Sequence, residues 1–198
     1  MAAKRRAETR EENREKLIAA ARKAFAEKGF ADASMDELTA SVGLTRGALY
    51  HNFGDKKGLL AAVVARVDEE IAQRARAQAS AQPDEWHKLL EEGVAYIEMA
   101  LEQEVQRIVL LDGPAFLGDP SRWPSQNACL EATRQALTGM IEQNILKPVD
   151  VEAAARLLNG AAFNAALWVA ASEAPQLTLR KATDAFKLLA SGLLNGPR

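Results

Sequence analysis

A short polar stretch of the chain, residues 46–52, concentrates side chains that can make directional contacts with another molecule. Arg46 supplies a guanidinium, Tyr50 and His51 supply aromatic donors, and Asn52 supplies an amide. Small residues stand among them, so a partner can approach the backbone closely. These residue types contact the phosphates and base edges of DNA. The stretch therefore indicates nucleic-acid binding, and the solvated face of an ordinary helical corner is the other interpretation.

Two predicted helices and a tight turn position this stretch. Ser34 opens a capping box at the start of a first short helix, and Thr45 caps a second one. Gly43 occupies the turn between them, where the backbone needs a residue that tolerates positive φ. The spacing predicts a helix-turn-helix whose second helix packs Leu49 and Phe53 inward and leaves its polar residues facing elsewhere.

Helical periodicity continues along the rest of the chain, and we find no alternating strand pattern and no internal repeat. An amphipathic helix carrying Phe25 ends at Gly29, and a long helix runs from Lys56 towards Ser80. Further helices are predicted from Asp84, from near Ser125, over 151–171 and over 179–194. The prediction is an all-α fold of about nine helices, in which a three-helix head is joined by a long helix to a helical body.

Charge divides the chain in the same way. The 198 residues carry a net charge of −2, but residues 1–57 hold 12 of the 25 basic and 9 of the 27 acidic residues, which gives +3 there and −5 in the remainder. A basic head on an acidic body suggests that only the head meets a polyanion, although a difference of this size also arises by chance. We predict a helix-turn-helix DNA-binding domain over 1–57 and a ligand-binding and dimerisation domain over 58–198.

Other functional classes lack the residues that they need. The single cysteine, Cys129, and the two histidines, His51 and His87, lie in separate segments, so their spacing offers neither a metal site nor a nucleophile with its base. No apolar run reaches the roughly 18 residues that cross a bilayer, and the charged start of the chain has no secretory signal pattern. We therefore expect no enzyme, catalytic residue, metal, cofactor or membrane partner, and a cytoplasmic location.

Several short motifs around the helix-turn-helix occur together. They are Gly29-Phe30, Ser34-Met35, the run 42–53 with its Leu-Tyr-x-x-Phe core, and Lys56. This set resembles the DNA-binding domain of the TetR (tetracycline-repressor-like) family and covers about a third of the chain. The remainder resembles the family in helix count and helix lengths. The resemblance implies a homodimeric transcriptional regulator, usually a repressor, that a small molecule releases from its operator.

The same resemblance implies which head residues contact DNA. Arg46 matches a base-reading or phosphate-contacting position, Tyr50 and His51 match phosphate contacts, and Lys56 matches a phosphate contact at a helix N-terminus. The two caps in the set are equally well explained as structural. The basic tail Lys4-Arg5-Arg6 is either a further DNA contact or a solubilising tail. The candidate DNA-binding residues are Ser34, Thr45, Arg46, Gly47, Ala48, Tyr50, His51, Asn52 and Lys56.

The last two predicted helices carry small residues together with large apolar residues on more than one face. A helix that is apolar nearly all round needs partners on both sides, and a second copy of the chain supplies one of them in an isologous interface. A homodimer also presents two recognition helices to a near-palindromic operator. The predicted interface residues are Leu158, Ala162, Ala166, Phe186, Leu189 and Leu193.

Aromatic and polar side chains of the middle helices suggest a chamber for a small-molecule effector of unknown identity. Ordinary core packing explains most aromatics at helical spacing, so that interpretation stays open. Asn164 is the most informative, because an amide in an apolar helix needs a hydrogen-bonding partner. The candidate lining residues are Trp86, Tyr96, Met99, Phe116, Trp123, Asn127, Phe163, Asn164 and Trp168.

The sequence thus predicts a ligand-responsive regulator that binds double-stranded operator DNA as a homodimer. One hypothesis for its response is that a ligand changes the spacing of the two DNA-binding heads through the long helix, which requires a ligand that prefers one spacing. The alternative function is a helical small-molecule-binding or scaffolding protein that does not act on DNA.

Overall fold

The computed structural model of the chain describes residues 2–196, and the side chains of residues 2–4 and 6 lie outside the description. Two predicted features fall outside it as well, namely the side chains of Lys4 and Arg6 in the basic tail, and Pro197 after the last helix. Within the described range the fold is all-α, as predicted. Its α-helices are α1 (Ala2–Asp32), α2 (Met35–Ser41), α3 (Arg46–Phe53), α4 (Lys56–Ala79), α5 (Glu85–Glu98), α6 (Gly113–Leu117), α7 (Pro124–Glu142), α8 (Val151–Ala170) and α9 (Pro175–Ser191).

Between α5 and α7 the chain is less regular. A 3-10 turn (Met99–Leu101) and a π-helical segment (Val105–Asp112) follow α5, and a second 3-10 turn (Pro120–Arg122) precedes α7. The glycines and prolines from Gly113 to Pro124 predict irregularity only after Asp112, because proline lacks a helical donor and glycine weakens a helix. The apolar run Val105–Asp112, which contains neither residue type, is a π-helix.

Among the described residues, five helices begin at side-chain caps: α2 at Ser34, α3 at Thr45, α4 at Asp55, α5 at Asp84 and α8 at Asp150. In each case a side-chain oxygen accepts a hydrogen bond from the backbone N–H three residues later, at 2.7 to 3.3 Å. These N–H groups have no acceptor inside their helix, so the caps satisfy them. Gly29 interrupts α1 with φ +80°, a conformation that favours glycine.

The last helix starts earlier than its predicted start at Leu179. Pro175 is the first residue of α9, and α8 ends before it at Ala170. A proline is tolerated in the first turn of a helix because its missing N–H would have had no acceptor there. Pro175 therefore both follows one helix and begins the next.

The chain divides into two compact units, and the first combines Met1–Val67 with Arg107–Pro120. Within it α1, α2 and α3 pack against one another. Phe25, Leu38 and Leu49 are buried, as the sequence predicts for its small core. Compared with the predicted head, 1–57, this unit also takes in the beginning of α4 and a segment from much later in the chain.

The second unit combines Asp68–Gln106 with Ser121–Arg198. Here α5, α7, α8 and α9 pack together around a cluster that includes Trp86, Leu137 and Met140. Buried alanines of α8 and α9 allow these helices to approach closely. The segment after α9 pairs with the loop after α7 through a hydrogen bond from the Lys147 N–H to the Leu193 carbonyl at 2.8 Å.

Candidate nucleic-acid interface and ligand cavity

Helix α3 has one face inside the first unit and one face in solvent. Leu49 is fully buried, while Tyr50 is 48% exposed. Arg46 and His51 are exposed as well. Four further predicted residues also lie on α3 or just before it: Thr45, Gly47, Ala48 and Asn52. The exposed face therefore offers a guanidinium, a phenol and an imidazole on one short helix, a set suited to phosphate and base contacts.

Arg46 is paired across the helix-turn-helix. Its Nε lies 3.3 Å from Oδ1 of Asp36 on α2, and both side chains are largely exposed. An exposed pair of this kind is weak and screened by salt. The pair fixes the direction of the guanidinium at the start of α3, and DNA phosphates would compete with Asp36 for it.

Two of the residues predicted to contact DNA use their polar groups in contacts within the first unit. The Asn52 Nδ2 donates to the Ala48 carbonyl at 2.8 Å, and its Oδ1 is buried without a hydrogen-bond partner. The Lys56 Nζ donates to the Ala31 carbonyl at 3.1 Å and lies 4.7 Å from the centre of the Phe30 ring. Burial lowers the pKa of Lys56, while the charge of nearby acids opposes the change. These two polar groups face protein.

The capping oxygens of Ser34 and Thr45 accept backbone N–H groups, as a structural role requires, and each hydroxyl keeps its own hydrogen to donate. Lys57, absent from the predicted set, is exposed at the start of α4. Its position beside Lys56 at a helix N-terminus was the pattern that could have identified it. An ammonium there, next to an N-terminal helix dipole, suits a phosphate.

A hydrogen-bond network closes the core of the first unit. The Asp112 Oδ2 accepts a bond from the Phe30 N–H at 2.7 Å, and the Arg107 Nε lies 3.7 Å from the same carboxylate oxygen. The Phe116 ring lies 4.4 Å from the Phe30 ring, measured between centroids. The structure thus assigns Phe116 to the first unit, where it covers Phe30, and not to the wall of the cavity described next.

The second unit contains a partly open cavity of about 100 Å³ between α4, α5, α7, α8 and α9. A volume of this size holds several water molecules or part of a small organic ligand. Of the predicted lining residues, Tyr96 and Phe163 line it. Apolar walls come mainly from Leu89, Leu90, Leu158, Phe163 and Phe186.

The other predicted lining residues lie elsewhere. Trp86, Met99 and Trp123 are buried in the protein without lining the cavity. Asn127, Asn164 and Trp168 are exposed on α7 and α8. The amide of Asn164 therefore faces solvent in the single chain, which explains how an apolar helix carries it without an internal partner.

The polar part of the cavity centres on Asp68, which the sequence analysis missed. Its side chain is 3% exposed; Oδ2 accepts bonds from Ser125 Oγ at 2.7 Å and Gln126 Nε2 at 2.9 Å, and Oδ1 has no partner. Burial raises the pKa of the Asp68 carboxyl, and the two hydrogen bonds oppose that change. A helical repeat could have revealed this residue, because Leu60, Val64 and Asp68 fall on one face of α4.

Three further titratable groups line the same cavity. Burial raises the pKa of Tyr96 well above its ordinary value, and its hydroxyl has no hydrogen-bond partner. Burial also raises the pKa of the Cys129 thiol and of the Glu92 carboxyl. A thiol that burial keeps protonated is a poor nucleophile, so Cys129 does not provide the cavity with a reactive thiolate.

The predicted dimer residues divide between the surface and the interior. Ala162, Ala166 and Phe186 are buried in the chain itself, Leu158 and Leu193 are half-buried, and Leu189 is 72% exposed. The three buried residues are covered because the small residues of α8 and α9 pack these helices against each other within one chain. The location of the dimer interface stays a prediction. Large apolar side chains that do lie on the surface of these helices are Leu157, Trp168, Leu177, Leu188 and Leu189.

Two family models match the chain. One, described as bacterial regulatory proteins of the tetR family, matches residues 17–63, which contain the helix-turn-helix. The other, described as a tetracyclin repressor-like C-terminal domain, matches residues 86–193, which is more than half of the chain. The chain belongs to the TetR family. TetR-family proteins are regulators of transcription, so the helix-turn-helix is a DNA-binding element.

Individual relatives agree with the TetR assignment. A crystal structure of a TetR-family transcriptional regulator from Pectobacterium atrosepticum is 46% identical, with a TM-score of 0.85, and the match covers 96% of this chain and 98% of that one. The transcriptional repressor AcnR of Corynebacterium glutamicum is 26% identical over 147 residues, 70% of this chain and 73% of the relative. The repressor BepR of Brucella suis is 31% identical over 102 residues, where the chain spans about half of the relative.

Among the described residues of this TetR-family chain, no helix combines the length and the apolar character that crossing a bilayer requires. No group of three or more His, Cys, Asp or Glu residues among the described residues is arranged to hold a metal ion.

Proposed function

We propose that this chain is a repressor that binds a near-palindromic operator as a homodimer and is released when a small molecule fills the cavity of the second unit. The observation that carries the proposal is the presence, in one TetR-family chain, of an exposed polar face on α3 and a cavity whose lining residues include two with unpaired polar atoms. As a bacterial regulator of transcription, it acts where the chromosome lies, in the cytoplasm.

On the DNA side, α3 enters the major groove with Arg46, Tyr50 and His51 directed at the duplex. Basic residues contribute most of the affinity by neutralising phosphates, so binding weakens steeply as salt rises. Lys57 joins the predicted contacts, because its side chain is exposed at the start of α4. Lys56 and Asn52 act mainly by holding the unit together, since their polar groups bond to backbone carbonyls.

The dimer interface forms from the exposed apolar faces of α8 and α9. Leu157, Leu188 and Leu189 are each more than 70% exposed, and such a patch on a monomer marks an interaction surface. Gly160, on the face of α8 that carries Leu157, is exposed with no atom near its Cβ position, so a partner helix can approach there. The same patch on two copies gives an isologous contact.

Release requires a ligand whose affinity differs between the DNA-binding state and the released state. Helix α4 runs continuously from the first unit into the second, and Asp68 at the cavity lies on it. A ligand that binds Asp68 therefore contacts the helix that begins beside the helix-turn-helix.

Mobility shift of the DNA upstream of the chain's own coding region tests the proposal. We expect the purified protein to bind that DNA, and Tyr50→Ala and Arg46→Ala to weaken binding at least about tenfold. Arg122→Ala, an exposed basic residue of the second unit, is the charge-matched control and should bind normally. Equal binding by all four proteins would reject α3 as the recognition helix and favour the alternative of a helical ligand-binding or scaffolding protein.

A further inference from the structure

The cavity holds a buried carboxylate whose charge is not neutralised. Asp68 is 3% exposed and Oδ1 has no hydrogen-bond partner. The two donors that reach Oδ2, Ser125 and Gln126, are neutral groups. A buried charge is costly unless a charge of opposite sign pairs with it. Asp68 is one of the residues that line the cavity.

The other charged groups of the lining do not provide the missing cation. Glu92 adds a second carboxyl to the wall. Arg76 lines the cavity too, but its side chain is exposed and the structure shows no ion pair between it and Asp68. An anionic ligand would meet Asp68 and Glu92 with charge of the same sign. A neutral ligand would leave the charge of Asp68 unpaired.

The remaining walls define the rest of the ligand. Leu89, Leu90, Phe163 and Phe186 form an apolar surface that suits a ring or a short hydrocarbon. The buried Tyr96 hydroxyl also has no partner and lines the same space. It can accept a hydrogen bond from a protonated nitrogen, which has more than one hydrogen to donate.

We propose that the cavity binds a compact organic cation, an amine with a small apolar body, whose protonated nitrogen pairs with Asp68 and contacts the Tyr96 hydroxyl. This inference rests on the proposed function, in which the cavity is the effector site. It adds the sign of the effector's charge and the residue that recognises it. The bond from nitrogen to Oδ1 supplies the carboxylate with the counter-charge that the protein omits.

The titratable groups around Asp68 make the binding dependent on pH. Tyr96 and Cys129 face the cavity as neutral groups at pH 7, because burial raises the pKa of each. Glu92 and Arg76 are the other ionisable groups of the lining. Protonation of Asp68 in acid removes the charge that attracts the amine, so amine binding weakens as pH falls towards the carboxyl pKa.

Calorimetry on the full-length protein without DNA tests the inference with three matched pairs of probes. The pairs are benzylamine with benzyl alcohol, 2-phenylethylamine with 2-phenylethanol, and tryptamine with tryptophol. We expect at least one amine to bind about tenfold more tightly than its alcohol, since a buried ion pair replaces a neutral hydrogen bond. If no amine binds more tightly than its alcohol, the proposal is wrong.

Two variants then test whether Asp68 is the residue responsible for the preference for the amine over the alcohol. Asp68→Asn keeps the side-chain shape and should reduce the preference for the amine to within about threefold. Glu91→Gln makes the same change in charge on α5 at a residue outside the cavity lining, and should keep the preference. A preference that survives Asp68→Asn would overturn the assignment. Melting curves of both variants show whether each is folded. The comparison of amine with alcohol on the wild-type protein tests the proposed charge preference without relying on any variant.

A separate mobility shift distinguishes the inference from the proposed function. An amine that binds through Asp68 without releasing the upstream DNA would support the cation site and contradict the effector role. Release of that DNA by a neutral or anionic molecule that competes for the cavity would support the effector role and contradict the cation site.

Discussion

The backbone N–H of Phe30 donates a hydrogen bond of 2.7 Å to the Asp112 carboxylate, which comes 82 positions later in the chain. Asp112 is 9% exposed and Phe30 is 7% exposed. A buried N–H that loses its acceptor keeps the full cost of its removal from water. This single bond therefore joins the part of α1 next to the interruption at Gly29 to the segment Arg107–Pro120 within the first unit.

Replacement of Asp112 tests how much this hydrogen bond contributes to the stability of the protein. We expect Asp112→Ala to lower the free energy of unfolding by about 1–3 kcal/mol, because the Phe30 N–H is left buried without an acceptor. Asp112→Asn keeps an acceptor oxygen and should lose less. Denaturant unfolding measures both variants, and equal losses would show that charge, and not the hydrogen bond, is what matters at this position.

Alanine substitutions at Gly29 and Gly43 allow the cost of backbone strain to be compared with the cost of steric crowding. Both have positive φ, at +80° and +68°. A Cβ at Gly29 would collide with the Arg107 guanidinium, whereas a Cβ at Gly43 would meet no atom within 4 Å. We expect Gly43→Ala to destabilise by about 1–2 kcal/mol through strain alone, and Gly29→Ala to destabilise more.

A double variant measures how much the Arg107 side chain contributes to the destabilisation caused by Gly29→Ala. In an Arg107→Ala background the collision at Gly29 is gone, so Gly29→Ala should cost less than it does in the wild-type background. It should still cost more than Gly43→Ala, because the ψ of 165° at Gly29 places the residue in a region that is essentially restricted to glycine. Unfolding curves of the single and double variants give the comparison. An undiminished cost in the double variant would mean that strain at Gly29, and not Arg107, limits the substitution.

The pair of Arg46 with Asp36 predicts a gain in DNA binding. Asp36→Asn releases the guanidinium and removes a negative charge beside α3, so affinity for the operator should rise about threefold at low salt and less at high salt. Glu173→Gln makes the same change of charge at an exposed residue of the second unit and should leave binding unchanged. An unaltered affinity for Asp36→Asn would indicate that Arg46 does not act on DNA.

The raised pKa of Asp68 predicts a pH dependence of stability. Because burial raises the folded-state pKa above the ordinary value of 3.8, the folded protein binds more protons than the unfolded chain just above that pH. The contribution of Asp68 to stability therefore falls as pH rises through this window. Asp68→Asn removes the effect, so its stability relative to wild type should increase as pH rises from the ordinary carboxyl pKa through the raised pKa of the folded protein.

Denaturant unfolding at several pH values measures the Asp68 effect. Glu92→Gln is the companion variant, because burial raises the pKa of Glu92 in the same direction. A stability difference between wild type and Asp68→Asn that stays constant with pH would contradict the prediction.

The exposed leucines of α8 and α9 predict the oligomeric state. Leu157→Glu or Leu188→Glu places a charge in the proposed interface and should weaken dimerisation at least about tenfold. Leu111→Glu is the matched control, since Leu111 is 50% exposed but belongs to the first unit. Sedimentation over a range of concentrations measures all three, and an unchanged dimer in the first two would move the interface elsewhere.

Local patterns in the sequence predicted the helices well. The caps at Ser34, Thr45 and Asp84 are local, because each joins residues three apart, and so a capping residue and the apolar spacing that follows it identify a helix start. The predicted start of α9 was wrong because Pro175 was interpreted only as the end of the preceding helix, although a proline also occurs in the first turn of a helix. The DNA-binding residues stay predictions, and they follow from position on α3.

The cavity was harder to predict because it depends on contacts between distant segments. Asp68 meets Ser125 and Gln126, which lie more than fifty residues later, and no local spacing reveals that pairing. Phe116 appeared to belong with the body, but the chain returns to the first unit between Arg107 and Pro120. Burial of Ala162 and Phe186 likewise depends on which face of each helix its own chain covers.

The return of Arg107–Pro120 to the first unit has a consequence for engineering. Hybrid sensors are made by fusing the DNA-recognition part of one regulator to the ligand-sensing part of another at a single junction. In this protein a fragment that stops near Val67 would lack Asp112 and Phe116, and Phe30 would lose both its backbone acceptor and its covering ring. A working graft would need three junctions in the gene, after Val67, before Arg107 and after Pro120, so that the later segment is carried along with the recognition helix.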